Sequence, residues 1–173
     1  MRRSLPWILL VVLAAVYGYG RAGSGSSGSG SGSTAGAART GQVVKVVDGD
    51  TIRVRLGAGT ERVRLIGIDT PETVKPDTPV QCYGRAASAE AHRLLDGRRV
   101  RLVQDVEARD RYGRLLAYVY RTPDGLFVNA ELARRGLART LTIPPNDSHA
   151  ALFAHLAARA GVRGWGFWGR CPL

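Results

Sequence analysis

Cysteine is scarce in this chain, which limits the chemistry that the chain can perform. The 173 residues include only Cys82 and Cys171, without a Cys-x-x-Cys pair, and the three histidines are scattered. A zinc site needs such ligands at close spacing, so zinc is not expected. Two cysteines that bracket most of a domain are typical of one disulfide in an oxidising compartment, with two free thiols as the alternative.

Long hydrophobic runs are also missing, apart from one near the N-terminus. Arg2 and Arg3 precede an apolar run from Leu5 to about Val16, which is short for a membrane span and has the layout of a secretory signal. We therefore predict that residues 1–19 are a signal peptide or an uncleaved signal anchor, which contacts the membrane at least transiently. The protein is then exported, and is either secreted or tethered to the outer face of the cytoplasmic membrane.

The segment after this run has almost nothing to bury. Residues 20–41 read GRAGSGSSGSGSGSTAGAARTG, and a Gly/Ser coil of this length has an average end-to-end distance of roughly 25 Å. The composition predicts a flexible linker, followed by one domain over residues 42–173.

Acidic residues are outnumbered throughout the chain. There are 14 Asp and Glu against 25 Lys and Arg. Four of the basic residues lie in the first forty, so the predicted domain has 21 basic residues and a net charge of about +7. A basic domain attracts polyanions, which favours nucleic acid or an acidic membrane surface as partner. The charge does not choose between these two.

Alternating β-branched residues predict strands at the start of the domain, from Gln42 to Asp48, from Thr51 to Leu56 and from Arg62 to Ile68. The first two strands are joined by Asp48-Gly49-Asp50, which is a turn signal. In the third strand we expect Val63 and Leu65 to lead to Asp69 on one face, with Arg64 on the opposite face.

Helices and further strands follow. Apolar spacing predicts a helix from Tyr83 to Asp96, strands over Arg99 to Val106 and Leu115 to Tyr120, a short helix over Val128 to Arg135, and a last helix capped by Asn146 or Asp147 that ends near Ala160. Five strands with a helix between the third and fourth are typical of a Greek-key barrel of the oligonucleotide-binding (OB) type. The predicted fold class is therefore α+β, dominated by a five-stranded OB barrel with three helices.

Carboxylates and arginines stand at the ends of these strands. Asp50 begins the second strand and Asp69 ends the third, so the two carboxylates converge if these strands pair. Carboxylates held close together repel each other, and a hard cation such as Ca²⁺ is the usual remedy. Glu72 is placed to act on a water at the same centre, as general base or orienting group. Arg64 and Arg114 are suited to gripping a phosphate through two hydrogen bonds each.

A metal ion, a base beside it and two arginines are the groups that phosphodiester hydrolysis requires. The charge that develops on the phosphate group needs cations that are held in place before the reaction. Each motif taken alone has a simpler interpretation. DGDT is most often only a turn, DTPE only a loop and RYGR only a basic turn. Their occurrence together and in this order favours the catalytic interpretation.

The order and spacing of these motifs resemble the staphylococcal nuclease, or thermonuclease, family. The resemblance runs from about Gln42 to Trp168 through VVDGDT, RLIGIDTPE, YGRAASAEA, DRYGRLLAYVY, VNAELARRGLA and PPND. It implies a barrel with three helices and a nuclease that cleaves both DNA and RNA to products with 3′-phosphate ends.

The resemblance also implies a role for individual residues. Asp50, Asp69 and the carbonyl of Thr70 bind calcium, with Asp48 close by. Glu72 assists the attacking water, while the phosphate and its transition state are bound by Arg64 and Arg114 and the nucleotide phosphate is contacted by Tyr112.

Two segments depart from the family pattern. The stretch TLTIPPND lacks the aromatic residue against which a base packs in the family's enzymes, and the tail GWGFWGRCPL has no counterpart in the family archetype. We expect the tail to pack on the barrel, pinned by a Cys82–Cys171 bond, with stacking of Trp165, Phe167 and Trp168 on bases as the alternative.

Other functions remain open at this level. A non-catalytic nucleic-acid-binding barrel and a surface protein that binds anionic polymers both fit the charge. Retention of Asp50, Asp69, Glu72, Arg64 and Arg114 argues against them. We expect a monomer.

Overall fold

The computed structural model describes residues 38–73, 79–122 and 124–172. The predicted signal segment (residues 1–19) and residues 20–37 of the predicted linker lie outside these ranges. Within them, no helix has both the length and the hydropathy that a bilayer span requires.

The described residues of the domain contain seven strands and three α-helices. The strands are β1 (Arg39–Asp48), β2 (Thr51–Leu56), β3 (Gly59–Leu65), β4 (Gly67–Asp69), β5 (Arg99–Val103), β6 (Leu115–Arg121) and β7 (Arg139–Leu141). The helices are α1 (Gly84–Leu95), α2 (Val128–Arg134) and α3 (Ala150–Val162), followed by a 3₁₀ turn, η1 (Gly166–Gly169).

Five of the strands close into a barrel in the order β1-β2-β3-β6-β5, which confirms the predicted fold class. All neighbours are antiparallel except β3 and β6, which run parallel. Alternate residues point inward, so Ile52, Val54, Val63 and Leu65 are fully buried. The core continues from the barrel into the inner faces of the three helices.

β1 begins at Arg39, three residues earlier than predicted and inside the predicted linker. Residues 39–42 pair with Leu102 to Arg99 of β5, whereas β2 pairs with β1 only from Gln42 onward. The early residues are therefore ordered by a strand almost sixty positions away in the sequence. Gly41 lies so close to β2 that a Cβ there would overlap the carbonyl oxygen of Arg55.

The predicted third strand is broken, and the expected placement of Asp69 on the core-facing side is wrong. β3 ends at Leu65, Gly67 has a φ of 80°, and the short β4 pairs with β7, which the sequence did not predict. The break resets the alternation of side chains, so Asp69 is exposed on the same side as Arg64. Buried Asn129 of α2 donates to the carbonyl of Ile66, which the break removes from the barrel ladder.

The predicted caps of the last helix are also wrong. α3 begins at Ala150 with His149 as its N-cap residue, and no side chain caps it. Asn146 is buried and bonded elsewhere: its Oδ1 accepts from the amide of Glu107 at 2.8 Å, and its Nδ2 donates to the carbonyl of Glu107 at 3.0 Å. A capping residue that is used in a tertiary contact is not available to the helix.

The C-terminal tail packs on the domain, as expected. Cys82 and Cys171 form a disulfide that closes a separation of 89 residues. Phe167 is buried, and its amide donates to the carbonyl of Gly136 just beyond α2. In the chain-entropy account, a loop of this length stabilises the fold by up to roughly 4 to 5 kcal/mol.

Gly67 is the residue at the break between β3 and β4 where we expect a substitution to be most destabilising. Gly67→Ala adds a Cβ at positive φ, which costs about 1 to 2 kcal/mol, and the Cβ also overlaps the ring of buried Phe153. Gly57→Ala is a matched control, because Gly57 has a φ of 62° with open space around it. We expect a clearly larger loss of unfolding free energy for Gly67→Ala in denaturant titrations. Equal losses in the two variants would contradict a packing role for this glycine.

Candidate active site

The turn between β1 and β2 presents two carboxylates at one end of the barrel. Asp48 pairs with Thr51 across the hairpin, so Gly49 and Asp50 form the turn itself. The carbonyl of Asp50 accepts from the amide of Leu65 at 2.9 Å, which ties the turn to the end of β3. Both Asp48 and Asp50 are buried, which is unusual for carboxylates and requires partners.

Thr70 supplies two of the partners of Asp50. Its amide and its hydroxyl each donate to Oδ2 of Asp50, both at 2.9 Å. A Cβ at Gly49 would lie 2.7 Å from the Thr70 hydroxyl oxygen, so the glycine of DGDT permits this close approach. The role predicted for Thr70 rests on its carbonyl, and that role stays a prediction.

Arg64 joins the two predicted metal ligands. One terminal nitrogen, Nη1, lies 2.8 Å from Oδ2 of Asp50 and donates to the carbonyl of Leu65 at 3.1 Å. The other, Nη2, donates to Oδ1 of Asp69 at 2.9 Å. The Arg64 side chain is only 11% exposed. The convergence of Asp50 and Asp69 is therefore confirmed, although the path of the chain differs from the expected one.

The local electrostatics disfavour the ionised acids. Asp69 keeps 55% of its side chain exposed, but partial desolvation by the surrounding protein still raises its pKa, and the neighbouring charges of Asp50 and Glu72 raise it further, while Arg64 and Arg139 act in the opposite direction. Burial also raises the pKa of Asp48, and the nearby Glu72 and Asp50 add to that shift. The hydrogen bonds that Asp48 accepts from the Gly49 amide and the Thr73 hydroxyl offset only part of it.

Glu72 lies at the same end of the barrel, held by its main chain. Its amide donates to the side chain of Gln81 at 2.9 Å, and its carbonyl accepts from the Gln81 amide at 3.0 Å. Its carboxylate accepts from the amide of Thr73 at 3.0 Å and is a hydrogen-bond partner of Asp48. Gln81 is next to Cys82, so the disulfide also restrains the segment that positions Glu72.

Arg114 reaches the site because β3 and β6 are parallel neighbours. Val63 pairs with Leu115 in this register, which places Arg114 beside the barrel end that carries Arg64. Asp110 holds Arg114 through its Nε at 2.6 Å. Within residues 38–73, 79–122 and 124–172, no hydrogen bond engages the two terminal nitrogens of Arg114, so they are open to a ligand.

A cavity of about 470 Å³ is lined by both arginines, but not by Asp50, Asp69 or Glu72. Arg64, Arg114 and Tyr112 contribute polar groups to its lining together with Asp110 and Arg111, and Tyr112 is 66% exposed. The lining also includes the aliphatic side chains of Leu116, Leu141 and Ile143. We call this cavity the groove. It brings together the three residues predicted to contact phosphate.

The oxygen donors suit a hard cation. Asp50 and Asp69 lie within the span of one guanidinium, and the charge of Asp50 raises the pKa of Asp69, which is the situation that a bound divalent cation relieves. The described part of the chain contains no group of three or more His, Cys, Asp or Glu side chains arranged as a metal site. The predicted set requires only two carboxylates and a carbonyl.

Several supporting residues were missed by the sequence analysis. Thr73 and Gln81 fix Asp48 and Glu72, and Arg139 pairs across the strands with Asp69. Asp110 was missed as well, although a carboxylate four residues before a predicted phosphate-binding arginine was a usable signal. Nothing local in the sequence marks the other three, because their contacts depend on the strand break and on distant pairing.

Comparison with known proteins places this geometry in a family. A family profile described as Staphylococcal nuclease homologue matches residues 62–170. The thermonuclease of Staphylococcus intermedius is 49% identical over 128 residues, which are 74% of this chain and 75% of that protein. The thermonuclease of Staphylococcus hyicus is 48% identical over 62% of this chain and 63% of that protein. Endonuclease YncB of Bacillus subtilis is 42% identical over 61% of this chain and 50% of that protein.

Because folding raises the pKa of Asp48, its charge should destabilise the folded protein at neutral pH. A carboxyl whose pKa is raised by folding stabilises the fold when it is protonated, and this contribution is lost as pH rises through the folded-state pKa. Asp48→Asn keeps the oxygen that accepts from Gly49 and Thr73 and removes the charge. We expect the metal-free variant to melt above the wild type at pH 7, with the difference shrinking as pH falls.

Asp124→Asn is the control for this measurement. A hydrogen bond from Arg121 lowers the pKa of Asp124, so the same substitution there removes a favourable charge. Its melting temperature at pH 7 should be equal to or below that of the wild type. A destabilised Asp48→Asn at pH 7 would refute the electrostatic account of the site.

Proposed function

The chain belongs to the staphylococcal nuclease family, and from that premise we propose that it is a calcium-dependent phosphodiesterase that hydrolyses DNA and RNA to products with 3′-phosphate ends. Its relatives are named as thermonucleases and endonucleases. The single observation that best supports the proposal is the Arg64 guanidinium, which contacts both Asp50 and Asp69 and also lines the groove that contains Arg114.

The two arginines bind the phosphodiester. Asp110 occupies the Nε of Arg114 and leaves its two terminal nitrogens to grip phosphate oxygens through parallel hydrogen bonds. Both terminal nitrogens of Arg64 are held by Asp50, Asp69 and the carbonyl of Leu65, and the side chain also lines the groove. Cations held in place before the reaction stabilise the charge that develops on the phosphate oxygens without further reorganisation.

Asp50, Asp69 and the carbonyl of Thr70 would hold the calcium ion. When bound, the ion supplies Lewis-acid stabilisation of the charged phosphate group. In the proposed step Glu72 takes a proton from the water that attacks phosphorus, the bond from phosphorus to the 5′ oxygen breaks, and that oxygen takes up a proton from solvent, which leaves the phosphate on the 3′ side. The hydrogen bonds from Gln81 and Thr73 keep the Glu72 segment in position for this step.

The groove supports binding of unpaired nucleotides. Tyr112 exposes its ring beside Arg111 and Arg114, where it is suited to contact a phosphate or a sugar. Leu141 and Ile143 are exposed aliphatic side chains in the lining of the groove and provide an apolar surface for a base. Aliphatic contact is tolerant of base identity, which suits an enzyme that cleaves without a strict base requirement.

We also propose that the protein is exported and acts as a monomer. The basic and apolar pattern before residue 20 supports export, with transient or lasting membrane contact. The disulfide supports it independently, because such bonds persist in oxidising compartments.

The calcium requirement is tested by digestion of plasmid DNA and RNA with calcium and then with excess chelator. We expect activity only with calcium, and at least a hundredfold loss in kcat for Asp50→Ala and Asp69→Ala. Asp96 is an exposed acid that pairs with His92, and Asp96→Ala should keep full activity.

Magnesium should substitute poorly for calcium, because it demands near-octahedral geometry and gives up its water reluctantly. Full turnover in chelator would refute the calcium requirement, and nucleic-acid binding without cleavage would indicate a binding module.

The arginine roles are tested by charge-conserving variants. Arg64→Lys and Arg114→Lys keep the charge, but an ammonium cannot reproduce the forked pair of hydrogen bonds, so we expect losses of about a hundredfold or more in kcat. Arg64→Lys should also lower the melting temperature, since one amine cannot span Asp50 and Asp69. Arg159→Lys on the exposed surface of α3 is the control. Near-normal rates for both variants would overturn the assignment.

A further inference from the structure

Three cations lie in direct register across the outside of the barrel. Lys45 of β1 is the cross-strand partner of Arg53 in β2, and Arg53 is the partner of Arg62 in β3. All three side chains are exposed. We call Lys45, Arg53 and Arg62 the cationic row. Neighbouring strands lie about 4.8 Å apart, so the row is about 10 Å long.

A β-bulge creates this alignment. The register of β1 against β2 shifts between Val43 and Lys45, which leaves Val44 without a partner in β2. Without the extra residue, Val44 would face Arg53 and Lys45 would face buried Ile52. The bulge therefore moves a lysine to the outer face and into line with two arginines. Bulges that re-aim a side chain are common next to functional sites.

The row carries charge that its surroundings do not neutralise. In the portion of the chain described here, none of the three cations forms an ion pair or a side-chain hydrogen bond. Glu61 is the acid next to Arg62 in the sequence, and its carboxylate is engaged by Arg109 at 2.7 and 3.0 Å. Like charges directly opposite each other across strands are destabilising. An unneutralised row therefore favours an external anionic partner.

The row leads to the groove. Arg62 lies two residues before Arg64 on the same face of β3, a distance of about 6.7 Å along the strand. It also immediately precedes Val63, the parallel partner of Leu115, while Arg114 immediately precedes Leu115. The cations from Lys45 to Arg114 thus follow one another across four adjacent strands, β1, β2, β3 and the start of β6.

We propose that the cationic row binds the phosphate backbone of a single-stranded nucleic acid beyond the nucleotides held in the groove. This inference rests on the proposed nuclease function. Continuity with Arg64 and Arg114 favours one strand that follows the row into the groove, since a strand held there extends past the ends of the cavity. Backbone contacts by lysine and arginine side chains carry no base preference.

Two double variants with the same change in net charge test the row. In Arg53→Gln/Arg62→Gln two cations of the row are lost, and in Arg159→Gln/Arg163→Gln two exposed cations are lost from α3 and its C-cap. Binding of poly-dT and of a dinucleotide is measured by fluorescence anisotropy in chelator over a range of salt concentrations. Cleavage of both is then measured with calcium.

For the row variant we expect poly-dT affinity to fall about 25-fold at 0.1 M salt, and the slope of log K against log salt to become shallower by about 1.4. Its ratio of kcat/KM for poly-dT to kcat/KM for the dinucleotide should fall similarly. The α3 variant should change neither the slope nor the ratio by more than a small fraction of this. Arg53→Lys/Arg62→Lys should restore most of the affinity, because a phosphate contact needs the charge more than the forked geometry.

Three results would overturn the proposal: unchanged poly-dT affinity in the row variant, an equal loss in the two double variants, or an equal loss for polymer and dinucleotide. Wild-type binding to anionic phosphatidylserine vesicles that exceeds binding to poly-dT, and that is lost in the row variant, would assign the row to a membrane surface instead. Failure of the proposed nuclease function appears separately, as absence of dinucleotide and polymer cleavage by the wild type, while the anisotropy series still tests the row.

Discussion

The Arg64 guanidinium between Asp50 and Asp69 is the interaction on which the arrangement of this end of the barrel depends. The three residues come from the turn between β1 and β2, the end of β3 and the end of β4, and their charges meet within hydrogen-bonding distance. Two carboxylates this close require positive charge nearby, and Arg64 supplies it with little exposure to solvent. The same side chain lines the groove, so the group that balances the acids also places a cation there.

The scaffold fixes Arg64 through the strand break rather than through the regular barrel. Gly67 turns the chain at positive φ, Phe153 of α3 packs against it, and Asn129 of α2 accepts from Val119 and donates to the freed carbonyl of Ile66. Two helices therefore hold the point at which β3 becomes β4. Because Asp69 follows only two residues later, its approach to Arg64 depends on that point. The packing of the core at the break therefore positions a residue of the site.

Much of the fold and the principal site residues could be predicted from the sequence because their signals are local. Period-two alternation, the Asp-Gly turn and glycine stops gave the barrel strands and the helices to within a few residues. The break in the third strand was not predictable, because residues 62–68 have the pattern of one continuous strand. The requirement for glycine at position 67 comes from the distant Phe153, whose ring fills the space that a Cβ would need. β7 was missed because its three residues carry no pattern of their own and are ordered by β4. The cap of α3 was wrong because Asn146 binds Glu107, a contact between residues 39 positions apart.

The arginines of the described surface divide into those that pair with an acid and those that do not. Several partly exposed acids in the described residues are tied to an arginine, as in the pairs Arg93–Glu90, Arg134–Glu131 and Arg109–Glu61. Such surface pairs contribute little to stability, but they neutralise the arginines that form them. In the proposed function, a base in the groove contacts aliphatic Leu141 and Ile143 in place of aromatic stacking, which is worth about 1 to 3 kcal/mol per base where it occurs. A site without that contribution depends more on backbone contacts for its affinity. The unpaired cations beside Arg64 and Arg114 are placed where a bound strand would meet them.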